Sequence, residues 1–300
     1  MCVVLAIILL VFSGCAGNTP EIQGDKVIVA TSFYPVYIFT LNLLNDIEEI
    51  NVECMAEQSV GCLHDYTLTA KDARLLNDAQ VLVINGAGME SFLEDAFQSV
   101  ENLNVIDSSL SIELICNDEH NHEEEHNENH HHENSHIWLS VGNAKKQVEN
   151  IKNGLVKMFP QYENQIEDNF KDYITRLNAL EEERKIIFSF SNGFNSISFH
   201  GAFEYLTEDA DFNIFATIES DEGYEPSAKE LAELSNKIRE NNIKALFVDP
   251  NYSGSAAEIL GKETNLDIFV LNPVINGEEK LTAYEDIMKE NYNVILKAVQ

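Results

Sequence analysis

Positive charge is what this chain has least of. Nineteen lysines and arginines stand against 51 aspartates and glutamates in 300 residues, a net charge of −32. Phosphate backbones would be repelled, which argues against nucleic acid as a partner. The same sign argues against electrostatic docking on anionic lipid. Long apolar runs are also missing. Residues 2–12 (CVVLAIILLVF) are apolar throughout, but a bilayer-spanning helix needs about 20 such residues. No segment that reads as a helix carries HExxH, and no serine or cysteine nucleophile motif is present, so a hydrolytic enzyme lacks its usual parts. Cysteine is sparse: five in all, at 2, 15, 54, 62 and 116.

The short apolar run at 2–12 suits the core of a signal peptide. Ser13, Gly14 and Cys15 follow it, and small residues just before a cysteine resemble a bacterial lipobox, with Cys15 lipidated. The basic residues that normally precede the apolar core are absent, because the run starts directly after Met1. Residues 1–14 are therefore expected to be a signal peptide and 15–25 a lipid-anchored tether. That location, outside the cytoplasm, permits disulfides. With Cys2 lost and Cys15 lipidated, Cys54, Cys62 and Cys116 remain. Cys54 and Cys62 are close enough to pair, though connectivity cannot be read from sequence. Cys116 would then be a spare soft ligand.

Histidine is distributed very unevenly. Seven of nine fall within residues 117–140 (NDEHNHEEEHNENHHHENSHIWLS): His120, His122, His126, His130, His131, His132 and His136. A segment this polar cannot bury enough apolar surface to offset its ordering entropy, so 117–135 is expected to be a loop. Its composition is that of metal-binding tracts, since neutral imidazole is a common ligand for zinc, copper and nickel. An acidic surface further raises the local concentration of cations. His136 differs from the rest, because Ile137, Trp138 and Leu139 follow it at once. It sits where the loop re-enters ordered structure.

The remainder reads as α/β. Short β-branched runs at 26–31, 52–55, 80–85 and 104–106 alternate with helical spacings at 33–44, 69–77 and 89–100. A second alternating set follows residue 190, with strands at 196–199, 245–248 and 268–271 and helices at 228–241, 255–264 and 282–299. This spacing points to βαβ units and mostly parallel sheets. Between the halves, a helical pattern runs from 163 to 187 after Pro160. The expected organisation is two lobes: 26–158, then a linking helix at 159–187, then 188–300.

In open parallel sheets, ligands bind beyond the carboxyl ends of strands. His64, His136 and His200 all fit such positions. A cation held by all three would lie between the halves. A lone histidine is more often an ordinary core or surface residue, and intervals of 72 and 64 residues carry no spacing signature.

Five segments add a resemblance: LHDYTLTAKDARLLNDAQVLVINGAGMESFL at 63–93, HIWLS at 136–140, SFHGAFEYL at 198–206, EPSAKELAEL at 225–234 and AYEDIMKENYNVIL at 283–296. Over nearly its whole length the chain resembles the solute-binding lipoproteins of zinc and manganese ABC transporters. The resemblance implies two α/β lobes around a long helix, and a metal held between them by His64, His136 and His200. It also implies an ABC permease in the membrane as partner, with the membrane otherwise touched only through the lipid anchor. The acidic His-rich loop is similar to that of the zinc members, with His120, His122, His126, His130, His131 and His132 as weaker auxiliary sites. Three positions depart from the family pattern, among them Asp249 where glutamate is usual. Asn272 stands in Leu-Asn-Pro where several members have a ligating aspartate, and Gly201 follows His200 where aspartate is frequent.

Three histidines plus water make a four-coordinate Zn2+ site, whereas loss of a hard oxygen donor disfavours Mn2+. Water is thus expected in the fourth position, with Asn272 second to it and Asp249 supporting the site. The expected protein is a monomeric, non-catalytic zinc-capture component. The alternatives are a Mn2+ or Ni2+ protein of the same kind, or an adhesin-like surface lipoprotein that sequesters zinc without transport.

Overall fold

The structure is a computed structural model that describes residues 26–56, 66–93, 96–97, 100–115, 133–207, 212–218, 226–250 and 255–300. His64, Cys62, Cys116, the six auxiliary histidines, the residues 2–12 and Cys15 lie outside the described residues.

The first lobe is built on β1 (Val27–Thr31), β2 (Ile50–Cys54), β3 (Val81–Ile84) and β4 (Asn104–Asp107) in the order β2-β1-β3-β4, all parallel. The near-continuous apolar runs VIVAT and VLVI suit strands covered on both faces, and β3 is buried at every position. Helix α1 (Tyr34–Leu43) is buried at nine positions because it is apolar almost all round. Helix α2 (Ala70–Asp78) opens with a capping box. The Thr69 hydroxyl accepts the Asp72 N–H, and the Asp72 carboxylate accepts the Thr69 N–H. That arrangement satisfies two amides otherwise orphaned at a helix start.

Helix α3 (Val141–Met158) and helix α4 (Glu163–Phe188) follow. The 26 residues of α4 reach about 39 Å at about 1.5 Å per residue. The second lobe repeats the first plan. Strands β5 (Phe194–Ser198), β6 (Phe212–Thr217), β7 (Ile243–Val248) and β8 (Asp267–Val270) lie parallel in the order β6-β5-β7-β8. Helices α5 (Glu204–Thr207), α6 (Ala228–Glu240), α7 (Ala256–Thr264) and α8 (Ala283–Val299) accompany them. Ser227 and Glu230 give α6 a second capping box. Among the described residues, no helix is long and apolar enough to cross a membrane.

Two features differ from the sequence reading. Strand β6 was not anticipated. Its alternation is short, and two of its apolar side chains, Phe215 and Ala216, stay partly exposed at the sheet edge. The helix expected at 89–100 is not continuous, since residues 87–90 form a turn and Ser91–Leu93 a 3-10 turn. Cys54 has Sγ 3.4 Å from the Ala56 carbonyl, and the possible bridge to Cys62 falls outside the described residues. Burial pushes the Cys54 thiol up to about 12.

One apolar core runs through both lobes. It joins Val29, Val83 and Phe39 of the first lobe to Tyr173 and Leu177 of α4, Tyr284 and Tyr292 of α8, and Phe247 of the second lobe. A smaller cluster backs each sheet on its other face. Arg176 of α4 fastens this shared core at its rim. It pairs with Glu285 of α8, donates to the Asn42 side chain of α1, and donates to the Leu281 carbonyl at 3.1 Å. Its guanidinium also lies 4.6 Å from the Tyr173 ring centroid. Burial pushes the Glu285 carboxyl above its ordinary range, and Arg176 opposes that shift. Removing Arg176 would leave Glu285 buried and unneutralised. Arg176→Met should lower unfolding free energy by roughly 2–3 kcal/mol, less than a fully buried pair costs because Arg176 is partly exposed. The double substitution with Glu285→Met should recover most of that loss, as measured by urea denaturation.

Candidate metal centre

His136 and His200 come from different lobes and meet. Their ring centroids are 5.1 Å apart with the planes at 83°. Both side chains are buried, at 4% and 5% exposure. An ion about 2.0–2.1 Å from one nitrogen of each ring would hold the centroids roughly 5 Å apart at a tetrahedral angle. The donor set and the spacing therefore fit a zinc-sized cation.

The backbone carrying His136 is held by the residue two places on. Trp138 is fully buried. Its indole N–H donates to the Pro273 carbonyl at 2.8 Å, and its own carbonyl accepts the Tyr284 hydroxyl at 2.7 Å. Phe33 packs edge-on against its ring at 4.9 Å. A 3-10 turn at Ile137–Leu139 leads into α3, whose first turn is capped by the Ser140 hydroxyl. On the other side of His136, the Ser135 carbonyl accepts from Asn85 at 3.0 Å. Residues 132–136 (HENSH) have HExxH spacing, but 133–136 are not helical, so they lack the helix face on which that pattern places two ligands.

His136 is also oriented from its own chain. Its backbone N–H and its Nδ1 lie 3.1 and 2.9 Å from Asn134 Oδ1. His200 stands at the end of β5, as expected. The Ser198 hydroxyl accepts the His200 N–H and donates to the His200 carbonyl, closing a tight turn at the strand end. Asp249, just past β7, is buried and places a carboxylate oxygen 3.8 Å from His200 Nδ1. That carboxylate stabilises positive charge on or beyond the imidazole.

Asn272 is occupied elsewhere. Its side-chain oxygen accepts the Val274 N–H at 2.8 Å, and its backbone exchanges two bonds with the Asn291 amide. His64 lies outside the described residues, but Tyr66, two positions on, is anchored through its hydroxyl to Asp72 of α2 at 2.6 Å. Among the described residues no group of three His, Cys, Asp or Glu side chains forms a ready metal cluster. The structure thus brings two of the three expected ligands together.

Sequence reasoning missed the groups that build the floor of the site. Glu90 is buried and accepts from the Ser32 hydroxyl and from the N–H groups of Asn85 and Gly86. Gly86 has φ +79, and a Cβ there would sit 2.0 Å from an Asp107 oxygen, so only glycine fits. The Asn85 side chain then reaches both Ser135 and, through its oxygen, Gln147 of α3. No pattern in the sequence marks these as partners, since they are 50 or more residues apart.

A family profile described as zinc-uptake complex component A, periplasmic, matches residues 29–298. The chain belongs to this zinc-uptake family. It is 32% identical over 305 residues to the high-affinity zinc uptake system protein ZnuA of Bacillus subtilis (strain 168), covering 97% of this chain and 95% of that protein. Among solved structures, the Zn(II)-bound ZnuA-like domain of Streptococcus pneumoniae AdcA is 26% identical, with TM-score 0.75, covering 92% of this chain and 99% of that one. The SBP FpvC of Pseudomonas aeruginosa in complex with Mn2+ shares the fold at TM-score 0.79 and 22% identity, covering 92% and 99%. The fold expected from sequence, two parallel-sheet lobes with a long helix, is the fold of this family.

Glu90 sets a pH dependence for the site's floor. Burial pushes its carboxyl up from an ordinary 4.5 to about 7, against the pull of its hydrogen bonds. A carboxyl raised on folding stabilises the protein below its unfolded value, and that stability is lost as pH rises through the folded value. Wild-type stability should therefore fall between pH 5 and pH 8. Glu90→Gln cannot ionise, so its deficit in urea midpoint relative to wild type should narrow across the same range.

Proposed function

We propose that this protein captures Zn2+ outside the cytoplasm and passes it to an ABC permease. The observation that carries this reading is the buried, edge-on pair His136 and His200, one from each lobe, with ring centroids 5.1 Å apart, in a member of the zinc-uptake family. His64 supplies the third imidazole and water the fourth position. Asn272 is the poorer candidate for that position because its oxygen already serves the Val274 amide. A centre dominated by nitrogen donors suits Zn2+ better than Mn2+, which favours oxygen donors. Zinc here is cargo, so the protein binds and releases it without catalysis.

The segments outside the described residues fit the same reading. Residues 1–14 are a signal peptide, Cys15 carries lipid, and 15–25 tether the lobes to the membrane. The lobes comprise 26–158 and 188–300, linked through 159–187, and act as a monomer. His120, His122, His126, His130, His131 and His132 gather ions at weak, exchangeable sites beside the cleft.

Calorimetric zinc titration of the mature chain tests the reading. Wild type should show one tight site and several weak ones. His136→Ala and His200→Ala should each weaken the tight site by more than roughly 100-fold, beyond what loss of an outer partner costs, and leave the weak sites intact. If His200→Ala binds zinc as wild type does, the interlobe site is wrong and the loop is the whole of the metal chemistry.

A further inference from the structure

Asn134 makes side-chain contacts on both sides of the cleft and is itself buried, at 6% exposure. Its Oδ1 faces the His136 N–H at 3.1 Å and His136 Nδ1 at 2.9 Å. Its Nδ2 donates to the Gly201 carbonyl at 2.8 Å and to Glu204 Oε2 at 3.1 Å. Two of these four partners are backbone groups, one a fixed donor and one a fixed acceptor. The amide therefore has only one satisfactory orientation, whereas an isolated asparagine could be placed either way. It follows that His136 Nδ1, opposite an oxygen that donates nothing, carries the proton. The lone pair of the neutral ring is then on Nε2.

We propose that Asn134 is a positioning residue of the metal centre: it selects the Nδ1–H tautomer of His136 and ties that ring to the segment directly after His200. The proposal rests on the reading of His136 and His200 as zinc ligands. A ligating histidine needs its other nitrogen engaged, which fixes both the tautomer and the ring plane. Asn134 does this for His136, and its two donors go to Gly201 and Glu204 of the other lobe. Glu204 is held in turn by the Thr217 hydroxyl at 3.1 Å. One carboxamide thus aligns one ligand and fixes the chain that carries the second. Opening the lobes would break the bonds to Gly201 and Glu204.

The local backbone does not depend on this side chain. The Asn134 N–H donates to the Ile115 carbonyl at 2.9 Å. The Tyr205 hydroxyl accepts from Ile115 N–H at 2.9 Å and donates to the Asn134 carbonyl at 2.7 Å. Asn134→Ala should therefore fold, with its turn still closed by Tyr205.

The test is 15N NMR of histidine-labelled, metal-free protein at about pH 8, above the ordinary imidazole range, with His136 assigned by its absence in His136→Ala. Wild type should show a protonated Nδ1 and an unprotonated Nε2. Asn134→Ala should lose that bias and bind zinc roughly 10–100-fold more weakly, the usual cost of an outer-shell partner. Asn134→Asp keeps an acceptor for Nδ1–H and loses both donors, so it should restore the tautomer. An Nε2–H tautomer in wild type overturns the proposal. So does Asn134→Ala with wild-type tautomer or wild-type zinc affinity, and so does failure of Asn134→Asp to restore Nδ1–H. The tautomer is read without metal, so a wild type with the expected tautomer but no tight zinc site would instead overturn the metal reading.

Discussion

The packing of Trp138 between the lobes is the constraint on which the centre depends. A buried tryptophan removes about 150–250 Å² from water, worth roughly 4–6 kcal/mol of transfer free energy. Here that burial is directional, because the indole N–H reaches Pro273 and the Trp138 carbonyl receives Tyr284. Both partners belong to the C-terminal part of the chain, while Trp138 follows directly on His136. The driving force is spent on placing an imidazole rather than on a lobe's interior alone. The shared core extends this logic. Helices α4 and α8 contribute apolar side chains to one cluster that also contains residues of both sheets. Two lobes joined this way move less freely than two joined by an open hinge, and His136 and His200, on opposite sides of the cleft, are brought together by packing.

Charge is arranged in two layers. At the surface, the excess of 32 negative charges attracts cations. Inside, the described carboxylates are largely engaged by protein groups. Glu90 accepts from backbone amides, Glu285 pairs with Arg176, and Glu204 is held by Asn134 and Thr217. Asp249 stands beside the His200 imidazole, at 3.8 Å. Among the described residues, His136 and His200 thus face each other while the oxygens of Glu90 and Glu204 are bonded to other protein groups. A centre of imidazole nitrogens would discriminate by donor type, since raw affinity of divalent ions follows a fixed order.

Much of this was legible in the sequence, and the parts that were not share a cause. Alternating β-branched runs and helical spacings announced both lobes, and the length of the pattern from 163 to 187 announced α4. The patterns at 69–77 and 228–241 begin within one residue of the helix starts that Thr69 and Ser227 cap. His136 stood out because apolar residues follow it immediately. By contrast, β6 lies at a sheet edge where burial imposes little alternation. The contacts of Asn134 with Gly201 and Glu204, of Asn85 with Ser135 and Gln147, and of Glu90 with Ser32 join residues 50 to 70 positions apart, and no local pattern encodes those. That His136 would meet His200 followed from resemblance and topology. How each ring would be held did not.

Anomalous diffraction from crystals of the mature protein loaded with one equivalent of zinc tests the central claim most directly. The account predicts one dominant zinc peak between the lobes, about 2.0–2.1 Å from Nε2 of His136 and from a ring nitrogen of His200, with His64 as the third ligand. A dominant peak bound only by residues 117–132, or one coordinated by cysteine sulfur at about 2.3 Å, would contradict it.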